Sequence, residues 1–224
     1  MKFTYKQRDD DIALQDLISE GEHQTQDFKF AVNDSKKIAR SLSAFANTDG
    51  GRLLLGVKDN GRIVGVESDE EYYMIESAAN LFCKPPINFE TYLWEEDGKT
   101  VLEIQIPKSD KKPHKAPDKD GKYKVYVRVN DQNLLANGVL LKVWEQQKRK
   151  KGTLLKLNNA EEVLLKYLTD NPQITMREFQ DLAGINRWLA EKIIVNLMVI
   201  DVVGMDLREN ECLYFLKKKK KDEI

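Results

Sequence analysis

The chain has 224 residues, of which 41% are hydrophobic and 33% are charged, and its formal net charge is −1. This composition is typical of one or two globular domains, each able to bury its own core. It excludes a membrane-spanning protein, because no run approaches the roughly 18 consecutive apolar residues that a span requires.

Few residues in the chain are suited to redox or zinc chemistry. Cys83 and Cys212 are far apart in sequence, and His23 and His114 are the only histidines. We therefore expect neither a disulfide framework nor a structural zinc site. Residues 9–11 are all aspartate, and no apolar signal core precedes them. These features predict a protein of the reducing cytoplasm.

Helical and strand periods are mixed along residues 1–147, which predicts an α+β domain. The predicted helices are 11–20, 34–46, 68–82 and 133–151, and the predicted strands are 25–31, 53–57, 87–94, 100–106 and 123–129. Asn60-Gly61 and Asp97-Gly98 are hairpin turn signals. Residues 107–121, rich in lysine and punctuated by proline and glycine, are predicted to be a loop.

Residues 158–217 have the pattern of three helices followed by a hairpin. Asn159 with Glu162 and Thr175 with Glu178 are predicted capping pairs, and Asn186 caps a third helix. Gly184 supplies the turn before that helix. A hairpin over 202–216 completes the order that is typical of a winged helix-turn-helix.

Two segments of the first half carry a family resemblance. Glu22 is followed by Asp27-Phe28-Lys29, and residues 43–65 read SAFANTDGGRLLLGVKDNGRIVG. These residues resemble the Schlafen/AlbA-type DNA-binding domain of bacterial, transcriptional-regulator-like proteins, and the similarity extends over residues 15–140. The family usually has glutamate where this chain has Asp27. The resemblance implies a mixed sheet with flanking helices, and a homodimer, because such cores often occur as paired lobes.

The turn at Asn47, Thr48, Gly50 and Gly51 has two interpretations. Its side chains and its glycines suit a sharp passage from a helix into a central strand. Alternatively, its exposed amides bind an anion. The chain has no Gly-x4-Gly-Lys-Ser/Thr loop, so we do not predict nucleotide hydrolysis.

The acidic residues Glu22, Asp27 and Asp59 are the candidate catalytic and metal-ligating set. The resemblance implies that, as in some Schlafen proteins, they form an RNA-cleaving site with Mg²⁺ or Mn²⁺. The ordinary alternative is a set of salt bridges with Lys29 or Arg52. Unless the nuclease alternative holds, we expect no cofactor.

The carboxy-terminal part of the chain is the better candidate for binding phosphates. Residues 141–224 contain 16 basic and 13 acidic residues, a net charge of +3, which leaves 20 basic and 24 acidic residues, a net charge of −4, for residues 1–140. The candidate nucleic-acid contacts are Arg187, Lys192, Asn196, Arg208, Lys148, Arg149, Lys150 and Lys151. Glu191 on the same helix face favours the alternative of a protein interface.

The sequence therefore predicts four segments: a Schlafen/AlbA-type α+β domain over 1–147, a basic linker over 148–157, a winged helix-turn-helix over 158–217 and a lysine-rich tail over 218–224. We expect a nucleic-acid-binding transcriptional regulator whose partner is DNA rather than RNA. The alternatives are a divalent-metal-dependent endoribonuclease and an oligomerising adaptor that uses Trp144, Trp188 and helix 133–151.

Overall fold

The computed structural model describes residues 12–66, 69–149 and 158–218. By its contacts the chain divides into two compact units, Met1–Ala136 and Asn137–Ile224. Predictions that involve Ser68, the linker residues 150–157 (Lys150 and Lys151 among them) and residues 219–224 lie outside the described residues. No helix within the described ranges is long and apolar enough to cross a membrane.

The first unit is an α+β structure with two small sheets. Its elements are α1 (Leu14–Ser19), β1 (Gln26–Lys29), α2 (Ser35–Asn47), β2 (Gly51–Leu55), α3 (Glu70–Ser77, extended by a π-helical turn over Ala78–Phe82), β3 (Glu90–Glu96), β4 (Lys99–Ile106), β5 (Lys115–Pro117), β6 (Tyr123–Val129) and β7 (Gln132–Leu135). One sheet has the order β1-β2-β4-β3, in which only β1 and β2 are parallel. The other has the order β5-β6-β7.

Helix α2 is the central element of this unit and is buried along most of its length. It begins after Asp34, whose carboxylate accepts the amide protons of Lys36 and Lys37. Leu42 and Phe45 of α2 and Leu53 of β2 are fully buried in the main core. Helix α2 packs against β5 and β6 as well. Its carboxyl end therefore lies where both sheets can supply side chains to one site.

Residues 133–151 do not form the single helix that the sequence predicted. Asn130 has a φ of 54° and turns the chain, so that Gln132–Leu135 pairs with β6 as β7. The helix begins only at Gly138, after the side chain of Asn137 accepts the amide proton of Leu140. Similarly, β5 lies in the segment that was predicted to be a loop. In both places cross-strand pairing outweighs local composition.

The second unit contains four helices and one small sheet in its described residues. Its elements are α4 (Gly138–Gln147), α5 (Asn159–Asp170), β8 (Ile174–Thr175), α6 (Met176–Ala183), α7 (Arg187–Val199), β9 (Val203–Leu207) and β10 (Cys212–Leu216). The strands are antiparallel in the order β8-β10-β9. Helix α4 packs against α7 in this unit, so the division falls before α4 rather than at residue 147.

Most of the helix caps that the sequence predicted for this unit are present in the structure. The capping box of Thr175 and Glu178 and the cap by Asn186 are confirmed. Gly184 has a φ of 63° at the end of α6, which favours glycine. The prediction for α5 was wrong by one residue, because the capping box is formed by Asn158 and Glu161. Adjacent asparagines and glutamates at 158–159 and 161–162 made both registers possible.

Candidate functional site

A polar cavity of about 480 Å³ in the first unit contains the acidic residues that the sequence singled out. Glu22, Asp27 and Asp59 all line it. Glu22 and Asp27 are adjacent because the chain turns between them: His23 and Gln26 exchange backbone hydrogen bonds of 3.0 and 3.3 Å. The turn also brings Glu22 Oε1 to 2.8 Å from the amide nitrogen of Phe28, which donates to it.

Asp27 is buried and is held between two cations. Its Oδ2 lies 2.9 Å from Lys29 Nζ, and its Oδ1 lies 3.3 Å from Arg128 Nη2. The predicted salt bridge with Lys29 is thus present, and the second partner is Arg128 rather than Arg52. Because both carboxylate oxygens are bonded to cations, the buried charge of Asp27 is compensated.

Arg128 is the best-buried charged side chain of the cavity, with 2% of its surface exposed. Besides Asp27, its guanidinium donates to the carbonyl oxygens of His23 and Gln26 and to Asn133 Oδ1, at 3.1 to 3.3 Å. It also lies over the ring of Phe45, 5.0 Å from the centroid. Arg128 therefore fixes the turn that presents Glu22 and Asp27.

The two neighbouring carboxyl groups affect one another. Burial raises the pKa of Glu22, and the hydrogen bond and negative charge of Asp27 raise it further, while Phe28 N–H and Lys29 act in the opposite direction. Glu22 consequently keeps its proton to a higher pH than an ordinary glutamate. Protonated, it donates a hydrogen bond in the cavity; ionised, it adds a negative charge beside Asp27.

The carboxylates share a cavity but do not converge as a ligand set. Within the described ranges no three Asp, Glu, His or Cys side chains lie close enough to hold a metal ion. Mg²⁺ requires near-octahedral oxygen ligands at about 2.0–2.1 Å, and both oxygens of Asp27 are already paired with cations. In this arrangement the residues do not fit a preformed divalent-metal site.

The turn at Asn47, Thr48, Gly50 and Gly51 joins the two sheets of the first unit. Asn47 Nδ2 donates to the carbonyl oxygens of His114 and Tyr126, each at 2.8 Å, and Asn47 Oδ1 accepts from His114 N at 2.7 Å. Thr48 Oγ1 accepts from Arg128 N at 2.9 Å. The motif therefore positions β6, and with it the side chain of Arg128.

The backbone amides of this turn are largely used inside the protein. The amides of Thr48 and Gly50 both donate to the carbonyl oxygen of Phe45. Gly50 has a φ of 77°, and a Cβ there would lie 2.7 Å from the backbone nitrogen of Lys108. These contacts account for the glycine and favour the structural interpretation of the motif over anion binding.

In the second unit the candidate contacts on α7 differ in exposure. Arg187 and Lys192 are exposed, whereas Asn196 is half-buried and its Oδ1 accepts from Gln146 Nε2 of α4 at 3.1 Å. Glu191 on the same helix pairs with Lys142 of α4 at 2.9 Å. Helix α4 thus occupies part of the face that the sequence assigned to nucleic acid.

Val195 shows how far this cover extends. It lies two residues from both Ile193 and Leu197, about 200° around the helix from these core residues, yet only 4% of its surface is exposed. Val139 and Val143 of α4 belong to the same hydrophobic cluster. Helix α7 is therefore packed on two opposite sides, and only its amino-terminal part has an open outer face.

Two of the three candidate contacts outside α7 that the structure describes are paired with acidic side chains. Arg208, at the tip of the β9–β10 hairpin, bonds to Asp206 at 2.8 Å and to Glu211 at 3.0 Å. With Glu209 beside it, the tip is acidic overall. Arg149 pairs with Glu145 at 2.7 Å, and Lys148 is exposed at the end of α4.

The two tryptophans proposed for an adaptor surface differ. Trp144 is buried, so it is not available to a partner, whereas 66% of the surface of Trp188 is exposed. Lys192 Nζ lies 5.2 Å from the centroid of the Trp188 ring. Trp188 is not among the nucleic-acid contacts predicted from the sequence, although its position one residue after Arg187 places it on the exposed first turn of α7.

Comparison with known proteins gives a family for the first unit. The family model described as Schlafen, AlbA_2 matches residues 22–137. No curated protein matches the chain. Among solved structures, it is similar to the DIP2311 protein of Corynebacterium diphtheriae, with 18% identity, a TM-score of 0.44 and coverage of 66% of this chain and 30% of that one. It thus spans about a third of that protein.

A second solved structure is the N-terminal domain of a RecG-related protein from Nitrosomonas europaea. It is 27% identical, with a TM-score of 0.38, and the match covers 55% of this chain and 94% of that domain.

Proposed function

The chain belongs to the Schlafen AlbA_2 family, and from this premise we propose that it is a nucleic-acid-binding protein that regulates transcription. In this proposal the first unit is a scaffold, and its cavity modulates the protein's binding to nucleic acid. The second unit, with α4 packed on it, is a winged helix-turn-helix that contacts phosphates.

The order of elements in the second unit supports the winged-helix assignment. Helices α5, α6 and α7 are followed by the β9–β10 hairpin. The short strand β8 lies between α5 and α6 in the chain and pairs with β10. Helices α6 and α7 are joined by the tight turn at Gly184. In such a module α7 is the helix that contacts nucleic acid.

The observation that carries the proposal is the open amino-terminal end of α7. Arg187 and Lys192 are exposed there, and Trp188 lies between them. Arginine and lysine gain affinity for phosphates by displacing counterions. Arg208 is held by Asp206 and Glu211, so in our proposal the hairpin tip contributes little to binding.

Fluorescence anisotropy with labelled DNA tests the proposal. We expect the affinity of the full chain to fall steeply between 50 and 200 mM salt. Arg187→Ala combined with Lys192→Ala should weaken binding and reduce the magnitude of the slope of log K against log salt concentration by about 1.5, because two phosphate contacts are lost. The single variant Lys192→Ala should also weaken binding. Its matched control is Lys166→Ala, which removes an exposed lysine from α5.

The absence of binding to any DNA or RNA at 50 mM salt contradicts the proposal. So does binding that the double variant leaves unchanged. Preference for DNA over RNA is tested by the same titration with oligonucleotides of identical sequence. The homodimer remains a prediction, which sedimentation of the full chain decides.

A metal-dependent endoribonuclease is a second candidate, favoured by the shared cavity of Glu22, Asp27 and Asp59. It requires the metal ion to displace Lys29 or Arg128 from Asp27, because the described arrangement is not a preformed metal site. It predicts cleavage of a labelled hairpin RNA with Mg²⁺ or Mn²⁺ and none with EDTA. Asp59→Asn should abolish cleavage, while Asp120→Asn, which changes an exposed turn residue outside the cavity, should not. Cleavage by the Asp59→Asn variant at the wild-type rate would reject this candidate.

A further inference from the structure

The cover of α7 by α4 limits which form of nucleic acid the second unit can bind. The major groove of duplex DNA is about 12 Å wide and admits one helix. Two helices packed side by side measure about 20 Å across. Glu191 pairs with Lys142, and Asn196 with Gln146. The central part of α7, with α4 on its outer side, is therefore too broad for a duplex groove.

We infer that the second unit binds single-stranded nucleic acid, with an unpaired base stacked on Trp188. This inference rests on the proposed function and names its partner. The indole of Trp188 is two-thirds exposed on the first turn of α7. Tryptophan on an exposed helix turn cannot read the edges of paired bases by bidentate hydrogen bonds, but its flat ring stacks on any base that is not already paired.

The groove beside Trp188 suits a phosphate backbone. It has a volume of about 270 Å³ and runs between α4 and α7, where Lys142, Arg149 and Lys192 line it together with Trp188. Arg187 and Lys148 are exposed at the ends of these helices. The groove lining has three cations and one anion, Glu145. Even with Glu191, which pairs with Lys142 beside the groove, the net charge is +1 and complementary to a polyanion.

The position of Lys192 connects the stacking surface with the backbone. Its ammonium group lies 5.2 Å from the centroid of the Trp188 ring. A cation at this distance over a ring is attracted to its face. Lys192 therefore occupies one face of the indole, and the unpaired base stacks on the opposite face. Stacking and charge then act on adjacent parts of the same nucleotide, as in proteins that bind single strands without sequence preference.

Anisotropy titrations at 50 mM salt, with a labelled 20-nucleotide single strand and its blunt duplex, test the inference on the full chain. We expect the single strand to bind about tenfold more tightly. Trp188→Ala should weaken single-strand binding about tenfold and leave duplex binding within twofold, while Trp188→Phe retains part of the affinity. Leu182→Ala, which removes another exposed apolar side chain of this unit, should change neither.

The outcomes separate the inference from the proposed function. Tighter binding to the duplex, or a Trp188→Ala variant with wild-type single-strand affinity, overturns the inference and leaves a duplex-binding protein. If neither oligonucleotide binds, the proposed function fails as well. Loss of self-association in Trp188→Ala, with unchanged binding to both oligonucleotides, also overturns the inference, because Trp188 then belongs to a subunit contact.

Discussion

Asp27 Oδ1 lies 3.3 Å from Arg128 Nη2, although the two residues are 101 positions apart in the sequence. Asp27 is on the edge strand of one sheet and Arg128 is on the middle strand of the other. The pair therefore connects the two sheets of the first unit inside the cavity that contains Glu22.

Arg128→Met tests the structural role of this pair. Removing one partner of a buried ion pair leaves the other charge uncompensated, which typically costs about 3–5 kcal/mol. We expect the free energy of unfolding, measured with urea, to fall by about 3 kcal/mol, since Lys29 still compensates part of the charge of Asp27. Arg62→Met at an exposed position should change it by less than about 0.5 kcal/mol. Equal effects of the two variants would contradict a structural role for the buried pair of Asp27 and Arg128.

Asn47→Asp tests the orientation of the motif side chain. The substitution keeps an acceptor for His114 N but replaces the donor that serves the carbonyl oxygens of His114 and Tyr126. Two carbonyls would then face a buried carboxylate, so we expect a loss of at least about 3 kcal/mol in urea unfolding. Asn60→Asp, in an exposed turn, is the control. A loss no larger than that of Asn60→Asp would mean that Asn47 does not hold β6.

Glu22→Gln tests the raised pKa of Glu22. Because the folded state holds this proton more tightly than the unfolded state, the contribution of Glu22 to stability is complete below about pH 4.5. It is lost as the pH rises through the raised pKa of the folded state. Glutamine cannot ionise and still accepts from Phe28 N. We expect the variant to gain in stability relative to the wild type between pH 4.5 and 7. A constant difference in urea unfolding across this range would contradict the pKa direction.

Val195→Ala tests the packing of α4 on α7. If α4 covers this side chain, the substitution removes buried methyl groups and should cost about 1–2 kcal/mol. On an uncovered recognition helix the same change would be nearly neutral. Trp188→Ala, on the exposed turn, should change the free energy of unfolding by less than about 0.5 kcal/mol. The two unfolding curves therefore distinguish the covered part of α7 from the open part.

The elements with strong local signals could be predicted from the sequence. Helix α2, strand β2 and the capping box at Thr175 and Glu178 are set by apolar spacing and by side-chain caps that lie within a few residues. The turn at Gly50 was also recognisable, because few residues except glycine adopt its φ.

The features that the sequence could not predict depend on residues that are distant in the chain. Strand β7 exists because β6 pairs with it, and nothing in Gln132–Leu135 alone distinguishes it from a helix start. The burial of Arg128 depends on acceptors that are about 100 residues away in the chain. Likewise, the sequence placed α4 in the first domain, and only its contacts with α7 place it in the second unit.

Photo-crosslinking tests the central claim most directly, because it identifies the contact surface. A bromodeoxyuridine-substituted single strand is irradiated with the full chain, and the linked peptide is identified by mass spectrometry. We expect the crosslink at Trp188 or elsewhere in residues 187–192, and its loss when 1 M salt removes the phosphate contacts. Crosslinks confined to residues 22–137, or to the hairpin around Arg208, would contradict the assignment of the open end of α7 as the nucleic-acid contact.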